Sequence, residues 1–261
     1  MTTVTQHAPG TFCWTQLGTT DEAGAKKFYS GLFGWKDRTE TADGNPITIL
    51  SKNDKAIGAV MPQSSDQGPP SWTPFVAVID VDATAKRVRD AGGKVIMEPM
   101  EVKPNGKFAV FQDPTSAVFA VWQAGTKAGA EILGETGSVC WNELLTTDSN
   151  KAGSFYQKVF DWKPDAMPMP GQADRTYTIF KRGETMAGGM LTATPEMKLT
   201  HPYWITYFAV DDCDQSAAKA SQLGGQVMMQ PTDIPTIGRF AVIRDPQGAW
   251  FAILKPMPQQ K

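Results

Sequence analysis

The sequence predicts an α+β chain: four strand–helix–three-strand modules, paired into two tandem domains. The first observation behind this is an internal repeat. Phe12-Cys13-Trp14-Thr15-Gln16-Leu17, Thr20-Asp21, Phe28-Tyr29 and Phe33-Gly34-Trp35-Lys36 return as Val139-Cys140-Trp141-Asn142-Glu143-Leu144, Thr147-Asp148, Phe155-Tyr156 and Phe160-Asp161-Trp162-Lys163, at an offset of 127 residues (Cys13 to Cys140). Chance does not hold so many rare aromatic residues in register. Further on, Trp72, Asp82, Gly92-Gly93, Pro99, Phe108-Ala109-Val110, Asp113-Pro114 and Phe119-Ala120 return as Trp204, Asp214, Gly224-Gly225, Pro231, Phe240-Ala241-Val242, Asp245-Pro246 and Phe251-Ala252, at an offset of 132 (Trp72 to Trp204). The second copy therefore gains five residues net, in the loop-prone region matching 36–72. The second observation is that one order of elements recurs inside each copy.

The elements follow from local pattern. Residues 1–10 read as a polar tail. Thr11–Leu17 reads as a strand, and Thr20 or Asp21 as the N-cap of an amphipathic helix through Ala23, Ala25, Phe28, Tyr29 and Leu32, ended by Gly34. A strand begins at Trp35, and Ile47–Ser51 with Ala56–Met61 form a hairpin turning at Lys52-Asn53-Asp54. Ser64–Ser71 is a Ser/Gly/Pro linker. The order then repeats: a strand over Pro74–Ile79, then a helix opened by Asp82 and stopped at Gly92-Gly93. Strands over Lys94–Met97, Lys107–Gln112 and Ala117–Gln123 follow, the last two joined by the Asp113-Pro114-Thr115-Ser116 turn. The second copy repeats this, with its own linker at Thr192–Pro202. The domains are thus 11–123 and 138–255, joined by a Gly/Ala-rich stretch over 124–137 and followed by a tail over 256–261.

Composition narrows the function classes. At 261 residues and 41% apolar content the chain can bury two cores of ordinary size. A net charge of −2 gives no reason to expect nucleic acid or an anionic membrane surface as partner. No apolar run is long enough for a membrane span, and Met1–Gly10 does not read as a signal peptide. Three cysteines make no disulfide framework, so a reducing cytoplasm is the expected compartment. Oligomeric state is not legible.

A Phe-Tyr helix, a Phe-Gly-Trp turn, a later Gly-Gly and an Asp-Pro-X-Gly turn before a last strand together resemble the vicinal oxygen chelate superfamily. Glyoxalase I, extradiol dioxygenases and the fosfomycin and bleomycin resistance proteins belong to it. The resemblance runs from Thr11 to Lys255 and is nearest to actinobacterial two-domain glyoxalase-like proteins, among them a mycobacterial antigen and members labelled hydroxylases. Asp245-Pro246-Gln247-Gly248 fits the turn fully; Asp113-Pro114-Thr115-Ser116 lacks the Gly. The resemblance implies that each pair of modules curls a mixed sheet around a cavity. It also implies His, Glu or Gln metal ligands on the first and last strands of each module, suited to chelating two neighbouring substrate oxygens. Carried over, those positions fall on Trp14 and Trp141, near Thr73 and Ile205, and on Ala120 and Ala252. Ala56–Met61 and Ala187–Leu191 hold no ligating side chain. No metal and no other cofactor is therefore expected. His7 lies in the tail and His201 in a linker, outside the implied set.

Several residues could bind a ligand. Trp14, Trp72, Trp141 and Trp204 could line the cavities with aromatic surface, or could be core filling. Gln16 and Glu143 lie two residues beyond a Trp and so share its face. Glu143 could serve as a general base, or could sit in a salt bridge to Arg239 or Lys107. Lys107 and Arg239 could hold an anionic group, or could be exposed charges at strand starts. Gly92-Gly93 and Gly188-Gly189 lack the Lys and helix of a phosphate loop and read as turns. Cys13 and Cys140 have no activating neighbour and read as buried apolar residues. The expected function is that of a glyoxalase-like protein without the usual metal, binding a small apolar or aromatic molecule. The alternatives are a lyase, isomerase or oxygenase with a displaced site, and a non-catalytic scaffold with filled cavities.

Overall fold

The computed structural model of the chain describes residues 3–42, 44–169, 172–197 and 199–257. Residues 1–2 and 258–261 of the expected tails lie outside the described residues.

The first copy runs β1 (Phe12–Thr19), α1 (Glu22–Phe33), β2 (Lys36–Ala42), β3 (Asn45–Lys52), β4 (Lys55–Pro62), then β5 (Ser71–Ala77), α2 (Val81–Asp90), β6 (Lys94–Val102), β7 (Gly106–Gln112) and β8 (Val118–Ala124). The second runs β9 (Val139–Thr146), α3 (Ser149–Phe160), β10 (Lys163–Met169), β11 (Gln172–Arg182), β12 (Thr185–Thr192), then β13 (Tyr203–Ala209), α4 (Cys213–Gln222), β14 (Gln226–Ile234), β15 (Gly238–Arg244) and β16 (Trp250–Pro256). Each copy makes one curled eight-stranded mixed sheet, of orders β2-β3-β4-β1-β5-β8-β7-β6 and β10-β11-β12-β9-β13-β16-β15-β14. The α+β expectation of two modules per domain holds.

Asp21 and Asp148 cap α1 and α3 through their carboxylates, to Gly24 N and Lys151 N, each 2.9 Å. The caps of α2 and α4 lie two residues before the Asp82 and Asp214 that the pattern suggested. Asp80 and Asp212 accept from Ala83 N and Gln215 N, because the orphan amides of a first turn take the nearest oxygen in extended backbone.

The cores are assembled across the copies. Phe28, Tyr29, Phe33, Trp35 and Trp72 share one buried cluster with Phe208, Ala217, Ile243 and Phe251. Val81, Val88, Phe111 and Phe119 share the other with Phe155, Tyr156, Trp162, Phe180 and Trp204. The repeated motifs are the contacts of this exchange. Gly92 and Gly224 take positive φ, 87° and 93°. Gly93 and Gly225 let the other copy's Phe-Tyr helix approach: a Cβ would come within 2.8 Å of Phe155 and 3.0 Å of Phe28. Trp35 Nε1 donates to Gly137 O and Trp162 Nε1 to Gly10 O, both 2.7 Å, so each Trp is tied to the residue leading into the other copy's first strand.

Two hydrogen-bond chains lie inside these cores. Trp72 Nε1 donates to Tyr29 Oη (2.8 Å), which donates to Asp245 (2.9 Å). Trp204 Nε1 donates to Tyr156 Oη (2.8 Å), which donates to Asp113 (3.0 Å). Trp72 and Trp204 are therefore not cavity linings, as one sequence reading had them. They pair in register with Leu17 and Leu144 on the helix-bearing face of each sheet, where burial of a large indole is most favourable.

The Asp-Pro turns show how one motif tolerates a lost Gly. Gly248 has φ 111°, and Ser116 at the matching place is forced to φ 90°. Asp113 and Asp245 hold both turns closed through amides of Thr115, Ala117, Gln247, Gly248 and Ala249. The tail and the join are both tied to the body of the chain. Val4 N donates to Glu131 O and His7 bonds Ala130 O. Ala130 and Ile132, within the 124–137 join, are buried.

Two outcomes follow from these cores. A fragment holding only residues 1–127 should not yield a folded monomer, because half of each core is missing; size-exclusion and near-UV circular dichroism would check this, and a folded monomeric half would contradict the shared-core account. Ser116→Gly should raise the unfolding free energy by about 1 kcal/mol by removing left-handed strain, measured by denaturant titration.

Candidate functional site

The face of each sheet opposite its helices is the inner face of the curl. On the second sheet, Trp141 pairs in register with Tyr207, and Tyr207 with Ala252, so the three lie level across adjoining strands. On the first, Trp14, Phe75 and Ala120 are level in the same way. Thr73 and Ile205, expected near this row, instead lie opposite Gln16 and Glu143; the antiparallel register moves the level position two residues along. Neither row carries a His or a carboxylate. Among the described residues no group of three or more His, Cys, Asp or Glu stands together. The residues present do not fit a divalent metal site of the implied kind.

Glu143 is buried, 9% exposed, on the inner face. Tyr207 Oη donates to its Oε1 at 3.1 Å, and the Tyr177 phenol stands beside it. Tyr177 Oη accepts from Trp141 Nε1 at 2.9 Å. The expected salt bridge to Lys107 or Arg239 is absent. Burial pushes the Glu143 carboxyl above the ordinary 4.5, partly offset by the phenols of Tyr177 and Tyr207. Burial, with Glu143 beside them, also raises the Tyr177 and Tyr207 phenols, which stay protonated at neutral pH. Half-buried Trp141, Tyr177, Tyr203 and Phe240 stand around this group, with the Tyr207 and Phe240 rings stacked at 6.3 Å.

The first sheet supplies an internal control. Gln16 and Glu143 pair with Ala59 and Gly189 respectively. Register sets Phe75 against Tyr207 and, one residue before the matched Thr48–Val60 and Thr178–Met190 pairs, Ile47 against Tyr177. Four positions thus differ together. Gly189 belongs to the set, because a Cβ there would collide with Tyr177 Oη and come within 2.8 Å of Trp141 Nε1. Gly188-Gly189 is accordingly a strand feature making room for a phenol, not a turn. Sequence reasoning missed Tyr177, Tyr207 and Gly189; aligning the copies strand by strand, with Ile47, Phe75 and Ala59 as partners, would have found them.

Lys107 and Arg239, read as anion ligands or as exposed charges at strand starts, are both ion-paired. Lys107 is ion-paired with Asp82, and Arg239 is bidentate to Asp214 at 2.7 and 2.9 Å and reaches Asp233 at 3.1 Å. Both are spent on the first turn of the neighbouring helix, where a cation steadies a carboxylate. Trp14 and Gln16 are half-buried on the inner face of the first sheet. His201 is exposed and bonds Thr200 Oγ1. Cys13 is buried and Cys140 partly so, and burial raises both thiols, so neither is an activated nucleophile. A separate cleft of about 370 Å³ opens at the seam between the copies, beside Gly92, Lys94, Lys151 and Lys158. Its one buried carboxylate, Asp113, is already satisfied by Tyr156 and the turn amides. The buried carboxyl of Glu143 lies on the opposite face.

The family model for the Glyoxalase/Bleomycin resistance protein/Dioxygenase superfamily matches residues 11–121 and 139–253. The chain belongs to that superfamily. Within it, the chain is 41% identical over 260 residues to "Putative glyoxylase CFP32" of Mycobacterium tuberculosis, covering 98% of both chains. It is 38% identical over 273 residues to "Anthracycline biosynthesis protein DnrV" of Streptomyces peucetius, covering 97% of this chain and 95% of the relative. The superfamily fold is also that of the Mn(II)-bound glyoxalase from Novosphingobium aromaticivorans, with TM-score 0.66 at 16% identity over 97% of this chain and 86% of that one. The 2,3-dioxygenase LapB from Pseudomonas sp. KL28 gives TM-score 0.65 at 12% identity over 100% and 96%.

The raised Glu143 pKa has a consequence for stability. With the folded value above the unfolded one, the contribution is fully present below about pH 4.5 and is lost as pH rises through the folded pKa. Glu143→Gln keeps the neutral shape, and Gln16 shows that the fold accepts it. The melting temperature of the variant, relative to wild type, should therefore be higher at pH 8 than at pH 4; thermal unfolding at both values checks this.

Proposed function

We propose that this superfamily member binds a small apolar or aromatic molecule on the inner face of the second sheet, without the metal set that the superfamily resemblance implies. The observation that carries this is the buried Glu143 carboxyl among Trp141, Tyr177 and Tyr207, set against Gln16, Ile47 and Phe75 in a copy that folds without such a network. Burying a carboxyl costs stability. The first copy supports the view that the fold does not need it. A functional role is the remaining reason to keep four matched changes together, since perturbed groups gather at working sites.

The same carboxyl favours a second reading, an enzyme of the lyase or isomerase kind. A Glu whose carboxyl is raised by burial, beside phenols that can donate to a developing oxyanion, is suited to moving a proton. The names of the relatives, a glyoxylase and an anthracycline biosynthesis protein, are in keeping with ligands carrying carbonyl or aromatic groups. Three free cysteines are in keeping with a cytoplasmic setting.

Purified protein should carry no stoichiometric divalent metal by elemental analysis, and chelator should leave its melting temperature unchanged. One metal per chain held by side chains would sink the metal-free reading. Any ligand that co-purifies should lose about tenfold or more in affinity with Glu143→Gln, the worth of a hydrogen bond to a charged group, while Gln16→Glu should create no second site.

A further inference from the structure

We propose that the Glu143 groove selects neutral planar molecules that donate a hydrogen bond, phenols and enols, and rejects carboxylates and other anions. This rests on the reading of that groove as the binding site and adds the class of ligand it takes.

The charge balance of the groove argues for it. The groups acting on Glu143 are phenols, Tyr177 and Tyr207, not cations. Arg239 is committed to Asp214 and Asp233. Arg175, on the same strand as Tyr177, donates to Thr192 O and stands beside Glu196. Among the described residues no cation is seen to act on Glu143, so an anion entering the groove would meet a carboxyl and would lose its hydration without replacement. A neutral ligand carries no such cost.

The hydrogen-bonding capacity argues for a donor. A carboxylate offers about four acceptor positions; the Tyr207 phenol takes one, leaving room for a further O–H or N–H. A ligand lacking that donor gains nothing from the carboxylate and still displaces its water. The walls argue for a plane. Trp141, Tyr177, Tyr203 and Phe240 present ring faces and edges on the inner face, and such surfaces favour offset-stacked or edge-on contact with a flat ring. In the first sheet, Gln16 replaces the carboxyl and Ile47 and Phe75 replace the tyrosines, so that groove has no basis for the same selection.

Three probes of one shape test this on the full chain by isothermal titration at pH 7: 2-naphthol, 2-methoxynaphthalene and 2-naphthoate. Naphthol should bind about tenfold or more tighter than the methoxy compound, and naphthoate should bind more weakly than either. In Glu143→Gln the naphthol advantage should shrink to within about threefold and naphthoate should gain. Trp14→Ala should leave all three unchanged, which places binding in the second domain. Naphthoate binding as tightly as naphthol to wild type overturns the proposal even if no variant folds. Equal binding of naphthol and the methoxy compound, or a naphthol advantage that survives Glu143→Gln, also overturns it while leaving the groove reading in place. No binding of either neutral probe to wild type removes the groove reading itself.

Discussion

Each copy of this duplicated chain makes a sheet whose helix-bearing face is covered partly by the other copy. Two buried phenol–carboxylate bonds, Tyr29 to Asp245 and Tyr156 to Asp113, sit at the centre of that exchange. They constrain almost everything around them. The phenols must reach across, so Gly93 and Gly225 must give space to Phe155 and Phe28. The carboxylates must be oriented, so the Asp-Pro turns are closed on their own amides. The indoles of Trp72 and Trp204 must lie against the phenols, which takes them away from the inner faces. The motifs that repeat most clearly are those that build this interface.

With the helix-bearing faces committed to the shared core, the inner faces are free to diverge. The first has become apolar around Trp14, Phe75 and Phe108, with Gln16 as a neutral polar residue. The second has gathered a carboxyl, two phenols and an indole. The divergence is concerted because the groups depend on one another: Tyr177 needs the space at Gly189, and Glu143 needs donors once it is buried. A lone carboxyl in the first groove would pay the desolvation cost without those partners.

The charged residues illustrate the reverse case. Lys107 and Arg239 occupy matching strand starts and read as anion ligands only while their surroundings are unknown. Each stands beside the first turn of a helix whose Asp82 or Asp214 is 25 residues earlier in sequence, a separation that no local pattern bridges. Surface pairs of this kind contribute little to stability.

The sequence by itself determined the duplication, the four modules, the family likeness and the place of Glu143 on one face with Trp141. Those are properties of spacing and alternation, which the chain carries locally. The tertiary structure decided which face became core and which became the inner face of the curl, and so sent Trp72 and Trp204 one way and Trp14 and Trp141 the other. It also decided that Glu143 meets Tyr177 and Tyr207 rather than a cation. Those partners come from strands 34 and 64 residues away, and their approach is set by antiparallel register and the missing Cβ of Gly189, which only the folded sheet fixes.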